Sequence, residues 1–193
     1  EKPCRVTRVC YSRQHYEHIR HKVEHSGLSQ QVTVLFEDFR DVHGLYDHIV
    51  CLDLLETLGQ RASKQLLKLC SKMLKPESRL LLQTLCVNDD DQHQQDPGIV
   101  DFVRRYIYPG SAVPTTALWR DTSALGAIQL EDASDTKQIR AQAVNFQRAE
   151  QSLTRHGFDA VFQRLWRFHL SLRQAQLETG RLRGSRVLLK KLR

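Results

Sequence analysis

The sequence lacks several features that define common classes of protein. No apolar run approaches the roughly 20 residues that a membrane-spanning helix needs, and no apolar segment of a signal peptide follows the basic N-terminal residues. The five cysteines include no CxxC pair, and several lie inside apolar runs, which is typical of reduced thiols in a protein core. We therefore expect a cytoplasmic protein with no membrane span and no metal site.

Glycine-rich turns are missing as well. Neither a GxGxxG turn nor a P-loop follows any predicted strand, and Gly44, Gly59, Gly98 and Gly126 are isolated. A dinucleotide or an S-adenosyl ligand needs such a turn so that the backbone can approach it. No GxSxG elbow occurs either, which disfavours a hydrolase.

Acidic residues are outnumbered, and the basic excess is concentrated late in the chain. The net charge is +7 and the isoelectric point is about 9.3. The late basic residues are Arg155, Arg164, Arg167, Arg173, Arg181, Arg183, Arg186, Lys190, Lys191 and Arg193. This balance favours an anionic membrane surface or nucleic acid as a partner, or it marks a solvated helix face with a basic tail. Aromatic residues are not interleaved for base stacking, so we expect no nucleic acid.

The first half of the chain alternates strand and helix patterns. The predicted strands are residues 5–11, 31–36, 46–52 and 79–85. One predicted helix is capped by Ser12 and ends near Gly27, and a second covers residues 62–73. Strands alternating with helices at this spacing indicate a parallel sheet with crossover helices. The strand at 46–52 is almost continuously apolar, which predicts burial on both faces.

The second half mixes loops, helices and short strands. A polar loop is predicted at residues 88–97, helices at 99–108, 116–125, 137–155 and 158–177, and strands at 127–130 and 186–189. In the last helix Phe158, Phe162, Leu165, His169 and Leu172 share one face, which is the spacing of a core-facing helix.

Two sets of polar residues are candidates for chemistry. Glu37 and Asp38 follow one predicted strand, and Asp53 and Glu56 follow the next. Ligands of open α/β sheets lie at the carboxyl ends of strands, where carboxylates accept hydrogen bonds from ribose or adenine, although such residues also serve as helix caps. The histidines of the first helix, His15, His18, His21 and His25, lie away from its apolar face, and we expect no metal there.

Several stretches resemble the cyclopropane-fatty-acyl-phospholipid synthase family, with its mycolic acid relatives, of class I S-adenosylmethionine-dependent methyltransferases. Residues 6–12 resemble VTGVTLS, 38–41 DYRD, 46–50 FDxIVS, 54–59 MFEHVG, 74–76 LKPGG and 81–84 LLHTI. Residues 101–110 (DFVRRYIYPG) resemble FIxxYIFPGG, the most specific of these motifs, and 162–170 with 180–182 resemble the closing FxRMWxxYL and GRL.

The resemblance implies a fold. It is an α/β, Rossmann-like class I methyltransferase sheet over residues 1–193, with the elements of the substrate region at about 97–177. The family's first strand and glycine-rich GCGWGG loop have no counterpart in the printed sequence, so the sheet is N-terminally incomplete. That strand is central in the family, and without it the two halves of the sheet have no strand to join them.

The resemblance also implies a site for S-adenosylmethionine. Phe36 and Glu37 match the pair that holds the adenine, and His15 stands where the family has the Gln that contacts the ribose. Cys10 and Tyr11 at the end of the first strand, the backbone of Leu52, and Thr57, which replaces a His, would complete the pocket.

The family's catalytic base is a bicarbonate ion held by Cys, Glu, His and Tyr. The Glu matches Glu56, the His matches Gln83, and the Tyr falls near Asp135. With these ligands substituted, the resemblance implies a weakened bicarbonate site.

The function implied is methylene transfer to unsaturated acyl chains of phospholipids, impaired or absent in the printed chain. The alternative is a pseudoenzyme that binds acidic lipid or a protein partner. We expect a peripheral contact with the phospholipid membrane surface at its inner face. The acyl substrate and the oligomeric state remain open.

Overall fold

A computed structural model describes residues 4–87, 102–120, 125–132 and 136–192. The chain forms two compact units, Glu1–Leu45 and Tyr46–Arg193. The predicted loop at 88–97, the start of the helix predicted at 99–108, and Asp135 lie outside the described residues.

The smaller unit is one strand–helix–strand motif. Strand β1 spans Val6–Cys10, helix α1 spans Arg13–His25, and strand β2 spans Val32–Phe36. The two strands pair in parallel, from Val6 with Val32 to Cys10 with Phe36. Ser12 caps α1 by accepting a hydrogen bond from the backbone N–H of His15, and Gly27 follows the helix with a φ of 67°. All three elements agree with the sequence prediction.

The larger unit contains the remaining elements. In chain order these are β3 (Tyr46–Leu52), a 3-10 turn (Leu55–Thr57), α2 (Gln60–Met73), β4 (Leu74–Cys86), a π-helical turn (Val103–Ile107), α3 (Ala117–Arg120), β5 (Leu125–Asp132), α4 (Lys137–Arg155), α5 (Ala160–Glu178) and β6 (Arg183–Lys191). None of the helices within the described ranges is long and apolar enough to cross a bilayer.

The four strands of this unit form one mixed sheet in the order β3-β4-β6-β5. β3 and β4 are parallel, as expected, whereas β6 is antiparallel to both β4 and β5. The parallel sheet predicted from the first half of the chain is confirmed for β1 with β2 and for β3 with β4, and that prediction did not cover β6. A single crossover helix between two strands brings the chain back to the edge of the sheet where the first strand began, so the next strand is parallel to it. Two successive helices, α4 and α5, bring the chain back to the edge where β5 ended, so β6 runs antiparallel to β5.

One boundary and one burial prediction also need correction. The helix predicted at 116–125 stops early, because Leu125 already belongs to β5 and pairs with Lys191. β3 is not buried on both faces: Val50 is 61% exposed and Leu52 is 55% exposed, while Cys51 between them is buried. Because successive side chains point to opposite faces, Cys51 lies on a covered face of β3, and Val50 and Leu52 lie on an open one.

The described strands form two separate sheets, β1-β2 and β3-β4-β6-β5.

The core of the larger unit centres on the ladder between β4 and β6. Leu80 pairs with Leu189 and Leu82 with Val187, and all four side chains are fully buried. Helix α2 packs on β4 and contributes Leu67, which is also fully buried. Burial of a leucine side chain stabilises the folded state by about 2–3 kcal/mol.

We predict that Leu82→Ala lowers the free energy of unfolding by about 3 kcal/mol, because it removes transfer energy and leaves a cavity between paired strands. Urea unfolding followed by circular dichroism measures this. Val144→Ala, at an exposed position of α4, is the matched control and should change stability by less than about 0.5 kcal/mol. Equal losses from the two variants would contradict the assignment of the core.

Candidate functional site

In the smaller unit a cavity opens at the carboxyl ends of β1 and β2. It has a volume of about 250 Å³ and is lined by Tyr11, Phe36, Glu37 and Asp38. The two strand ends are tied together because the backbone N–H of Glu37 donates to the carbonyl of Cys10 at 3.2 Å. The structure thus brings together three of the residues predicted to bind the cofactor: Tyr11, Phe36 and Glu37.

Two other predicted cofactor residues of this unit are not in the lining. The Cys10 side chain is buried, so only its backbone lies near the cavity. His15 is exposed in the first turn of α1. A neighbour that the sequence analysis did not single out is Arg13, whose guanidinium carbon lies 5.1 Å from the centroid of the Phe36 ring, and Tyr16 packs on the same ring at 5.7 Å.

The carboxylate of Asp38 carries a fixed negative charge at the cavity wall. Arg40 donates to both of its oxygens, Nε to Oδ1 at 2.8 Å and NH2 to Oδ2 at 2.7 Å. These hydrogen bonds hold the pKa of Asp38 down at about 2. The cavity therefore combines an aromatic ring with acceptor carboxylates, which suits the adenine ring and the hydroxyl or amino donors of a nucleoside.

In the larger unit Glu56 is a buried carboxylate. It lies in the 3-10 turn Leu55–Thr57 and is 7% exposed. Its Oε2 accepts a hydrogen bond from the hydroxyl of Thr84 on β4 at 2.7 Å. Burial raises the pKa of Glu56 and the nearby charge of Asp53 adds to the rise, while the Thr84 hydrogen bond and the charge of Arg173 oppose it. The net direction is upward, as for a group that holds a proton.

Helix α5 contributes buried polar groups to the same unit that the sequence analysis did not assign to the site. Arg173 is buried, and so is His169 one helical turn earlier. The His169 ring meets the ring of Tyr108 edge-on at 6.3 Å. The sequence contains a signal for the burial of Arg173, because Arg173 follows His169 by four residues and so shares the predicted core-facing side of this helix.

Gln83 lies on the opposite face of β4 from Thr84, because successive side chains of a strand alternate. Its Nε2 donates to Asp53 Oδ1 at 3.3 Å, and its Oε1 accepts from Arg186 at 3.1 Å. Arg186 in turn forms an ion pair with Glu131 at 3.5 Å. The structure therefore does not bring Gln83 to Glu56, and a polar row of Asp53, Gln83, Arg186 and Glu131 crosses the end of the sheet.

The remaining predicted residues of this unit flank the turn after β3. Leu52 ends β3 and is paired with Gln83. Asp53 has a positive φ of 52°, which Asp tolerates better than most residues, and its N–H donates to the carbonyl of Gln83 at 2.8 Å. Thr57 is half-buried, and its hydroxyl donates to the carbonyl of Leu54 at 2.7 Å.

The histidines of α1 are not in the lining of the cavity at Phe36. His21 and His25 stack at 4.1 Å, and α1 has no buried residue. Across the part of the chain that the structure describes, no group of three or more His, Cys, Asp or Glu side chains is arranged to hold a metal ion.

Solved structures identify the class of protein that this fold defines. The cyclopropane synthase MmaA2 from Mycobacterium tuberculosis superimposes with a TM-score of 0.85, at 16% identity over 97% of this chain and 70% of that one. The mycolic acid cyclopropane synthase CmaA1 complexed with SAH and CTAB also gives a TM-score of 0.85, at 14% identity, with the same coverage of 97% and 70%. The fold is that of a class I S-adenosylmethionine-dependent methyltransferase.

Sequence relatives narrow the class to a family. Residues 2–184 match the model of the mycolic acid cyclopropane synthetase family, and the chain belongs to that family. The tuberculostearic acid methyltransferase UfaA1 of Mycobacterium tuberculosis is 25% identical over 173 residues, which are 84% of this chain and 39% of that protein. The cyclopropane-fatty-acyl-phospholipid synthase of Escherichia coli is 27% identical over 84 residues, 44% of this chain and 21% of that protein. The chain thus spans less than half the length of these curated relatives.

We predict that Glu56→Gln raises the free energy of unfolding at pH 7 by on the order of 1 kcal/mol, because it removes a buried charge. The folded state holds the Glu56 proton more tightly than the unfolded state does. The contribution of Glu56 to stability is therefore fully present below the ordinary glutamate pKa of about 4.3 and is lost as the pH rises through the raised pKa.

Urea unfolding at a series of pH values tests this prediction. In Glu56→Gln the free energy of unfolding should fall less with rising pH than it does in the parent. Glu178→Gln, at an exposed carboxylate paired with Arg140, should retain the fall that Glu56 causes. A Glu56→Gln variant that is less stable than the parent at pH 7 would show that the carboxylate is a structural anchor.

Proposed function

We propose that the protein is an S-adenosylmethionine-dependent methyltransferase and that the cavity at Phe36 and Glu37 holds the adenosine part of the cofactor. The observation that carries this proposal is the position of that cavity at the carboxyl ends of two parallel strands, with an aromatic ring and a carboxylate side by side. Phe36 would stack on the adenine and Glu37 would accept its hydrogen bonds, with His15 near the ribose.

The substrate proposed is the unsaturated acyl chain of a phospholipid, reached from the cytoplasmic side of the membrane. The names of the relatives support it, since they refer to tuberculostearic acid and to cyclopropane fatty acyl phospholipid. When bound, the cofactor supplies an electrophilic methyl group. An alkene that takes up this methyl group through its π electrons is left as a carbocation, which must lose a proton for a cyclopropane ring to close.

Among the described residues, Glu56 is suited to accept or hold that proton. Its burial favours the protonated form, and the hydroxyl of Thr84 fixes the orientation of its carboxyl group. The described residues do not form a ligand set for bicarbonate, because Gln83 donates to Asp53 on the other face of β4. No step is therefore assigned to that ion.

A non-catalytic protein that binds acidic lipid or a protein partner is the second candidate. The orientation of Gln83 favours it, since the side chain in the position of the family's His is engaged by Asp53 and Arg186. The two candidates differ in turnover, which one assay measures.

The assay is transfer of a labelled methyl group from S-adenosylmethionine to vesicles of unsaturated phospholipid by the whole protein. We expect labelled lipid, and a loss of about 100-fold or more in Glu56→Gln, because a positioned proton acceptor contributes that much. Glu178→Gln should retain the parent rate. Cofactor binding without any labelled lipid would favour the non-catalytic candidate, and absence of cofactor binding would reject the methyltransferase proposal.

A further inference from the structure

Exposed aromatic side chains cluster where the π-helical turn meets α5. Phe168 of α5 is 54% exposed and Tyr106 of the turn is 53% exposed. Phe102 connects them: its ring centroid lies 4.6 Å from that of Phe168, edge to face, and 5.5 Å from that of Tyr106. Large rings held together at a surface and left open to water are typical of an interaction site.

Three exposed arginines belong to the same two elements as these rings, and one of them contacts a ring. Arg104 and Arg105 belong to the π-helical turn, and Arg164 precedes Phe168 by one turn of α5; all three are exposed. The guanidinium carbon of Arg105 lies 5.3 Å from the centroid of the Tyr106 ring. Within the described ranges none of these three arginines forms an ion pair. Their charges are therefore not neutralised by the described carboxylates.

The outward face of α5 has the same mixed character. Val161, Arg164 and Phe168 stand at i, i+3 and i+7 and share one face of the helix, and Val161 is also exposed. The helix carries no acidic residue before Glu178. An apolar stripe that contains an arginine, on a helix whose first carboxylate is its last residue Glu178, complements a layer of acidic headgroups above hydrocarbon.

We propose that the aromatic–arginine surface, formed by Arg104, Arg105, Tyr106, Arg164 and Phe168, attaches the protein to an anionic phospholipid bilayer. Tyr106 would lie at the level of the headgroups and Phe168 with Val161 would enter the acyl boundary. The arginines would pair with lipid phosphates. The inference rests on the proposed function in one respect, the choice of a bilayer as the location of the substrate.

A single-stranded nucleic acid is the alternative partner for arginines beside aromatic rings. Two features favour the bilayer. Val161 and Phe168 offer no hydrogen-bonding group to a base, and Arg105 already lies over the Tyr106 ring, where a base would stack. RNA therefore serves as a comparison ligand in the test.

The first experiment is co-sedimentation of the chain with vesicles of phosphatidylcholine alone and of phosphatidylcholine with phosphatidylglycerol. We expect binding to the anionic vesicles, weakened by salt, and a loss of about fivefold in affinity for each arginine removed in Arg104→Gln with Arg105→Gln. The matched control is Arg61→Gln with Arg148→Gln, which removes the same charge from exposed positions of α2 and α4 and should change binding by less than half as much.

The second experiment locates the ring in the bilayer. Phe168→Trp should give tryptophan emission that shifts to the blue with anionic vesicles and is quenched by lipids brominated in the acyl chain. Phe158→Trp is the control, since Phe158 is partly exposed but packs against Phe162 at 4.7 Å, a residue about 120° around the helix from Phe168. Circular dichroism verifies that each variant is folded.

The surface proposal is overturned if the parent chain does not bind anionic vesicles, or if the control arginine pair weakens binding as much as the surface pair. It is also overturned if the surface variants lose RNA binding while vesicle binding is unchanged. Calorimetry with S-adenosylmethionine on the same variants of the whole protein separates the two proposals. A surface variant that no longer binds vesicles but still binds S-adenosylmethionine supports the proposed membrane surface. A parent protein that binds vesicles but not S-adenosylmethionine contradicts the proposed function and leaves the membrane surface in place.

Discussion

The structure of the larger unit depends on hydrogen bonding along both edges of β4. This strand of 13 residues pairs in parallel with β3 and antiparallel with β6. One face of the strand buries Leu80 and Leu82 and continues to Thr84, which reaches Glu56. The other face carries Gln83 toward Asp53. Because successive side chains of a strand point to opposite faces, β4 both supplies the core leucines and keeps Gln83 away from Glu56.

The buried carboxylate of Glu56 has a raised pKa, but Gln83, the residue predicted to act with it, has other partners. Desolvation raises its pKa, and the Thr84 hydrogen bond with the charge of Arg173 compensates only in part. A group that disfavours its own ionised form inside a fold is typical of a functional site. The substituted partner, Gln83, is held in a separate polar row instead. Glu56, which matches the Glu of the family's bicarbonate site, is thus hydrogen-bonded to Thr84 and not to Gln83.

Local patterns in the sequence were sufficient for the smaller unit. Alternating β-branched residues gave β1 and β2, and Ser12 and Gly27 gave the ends of α1. The errors arose where a long-range arrangement decides the outcome. Burial of β3 depends on which neighbours cover it, and the end of the helix predicted at 116–125 depends on the pairing of Leu125 with Lys191 of β6. The distance between Glu56 and Gln83 depends on the strand face. Arg173 reads as a surface charge until α5 is placed.

The central claim is that Phe36 and Glu37 hold the adenosine part of S-adenosylmethionine. Saturation-transfer difference NMR of the whole protein with S-adenosylhomocysteine tests it most directly. If Phe36 and Glu37 hold the adenosine, the adenine H2 and H8 protons show strong saturation, which is lost in Phe36→Ala and retained in Phe158→Ala. Adenine signals that are absent from the parent, or that persist unchanged in Phe36→Ala, would contradict it.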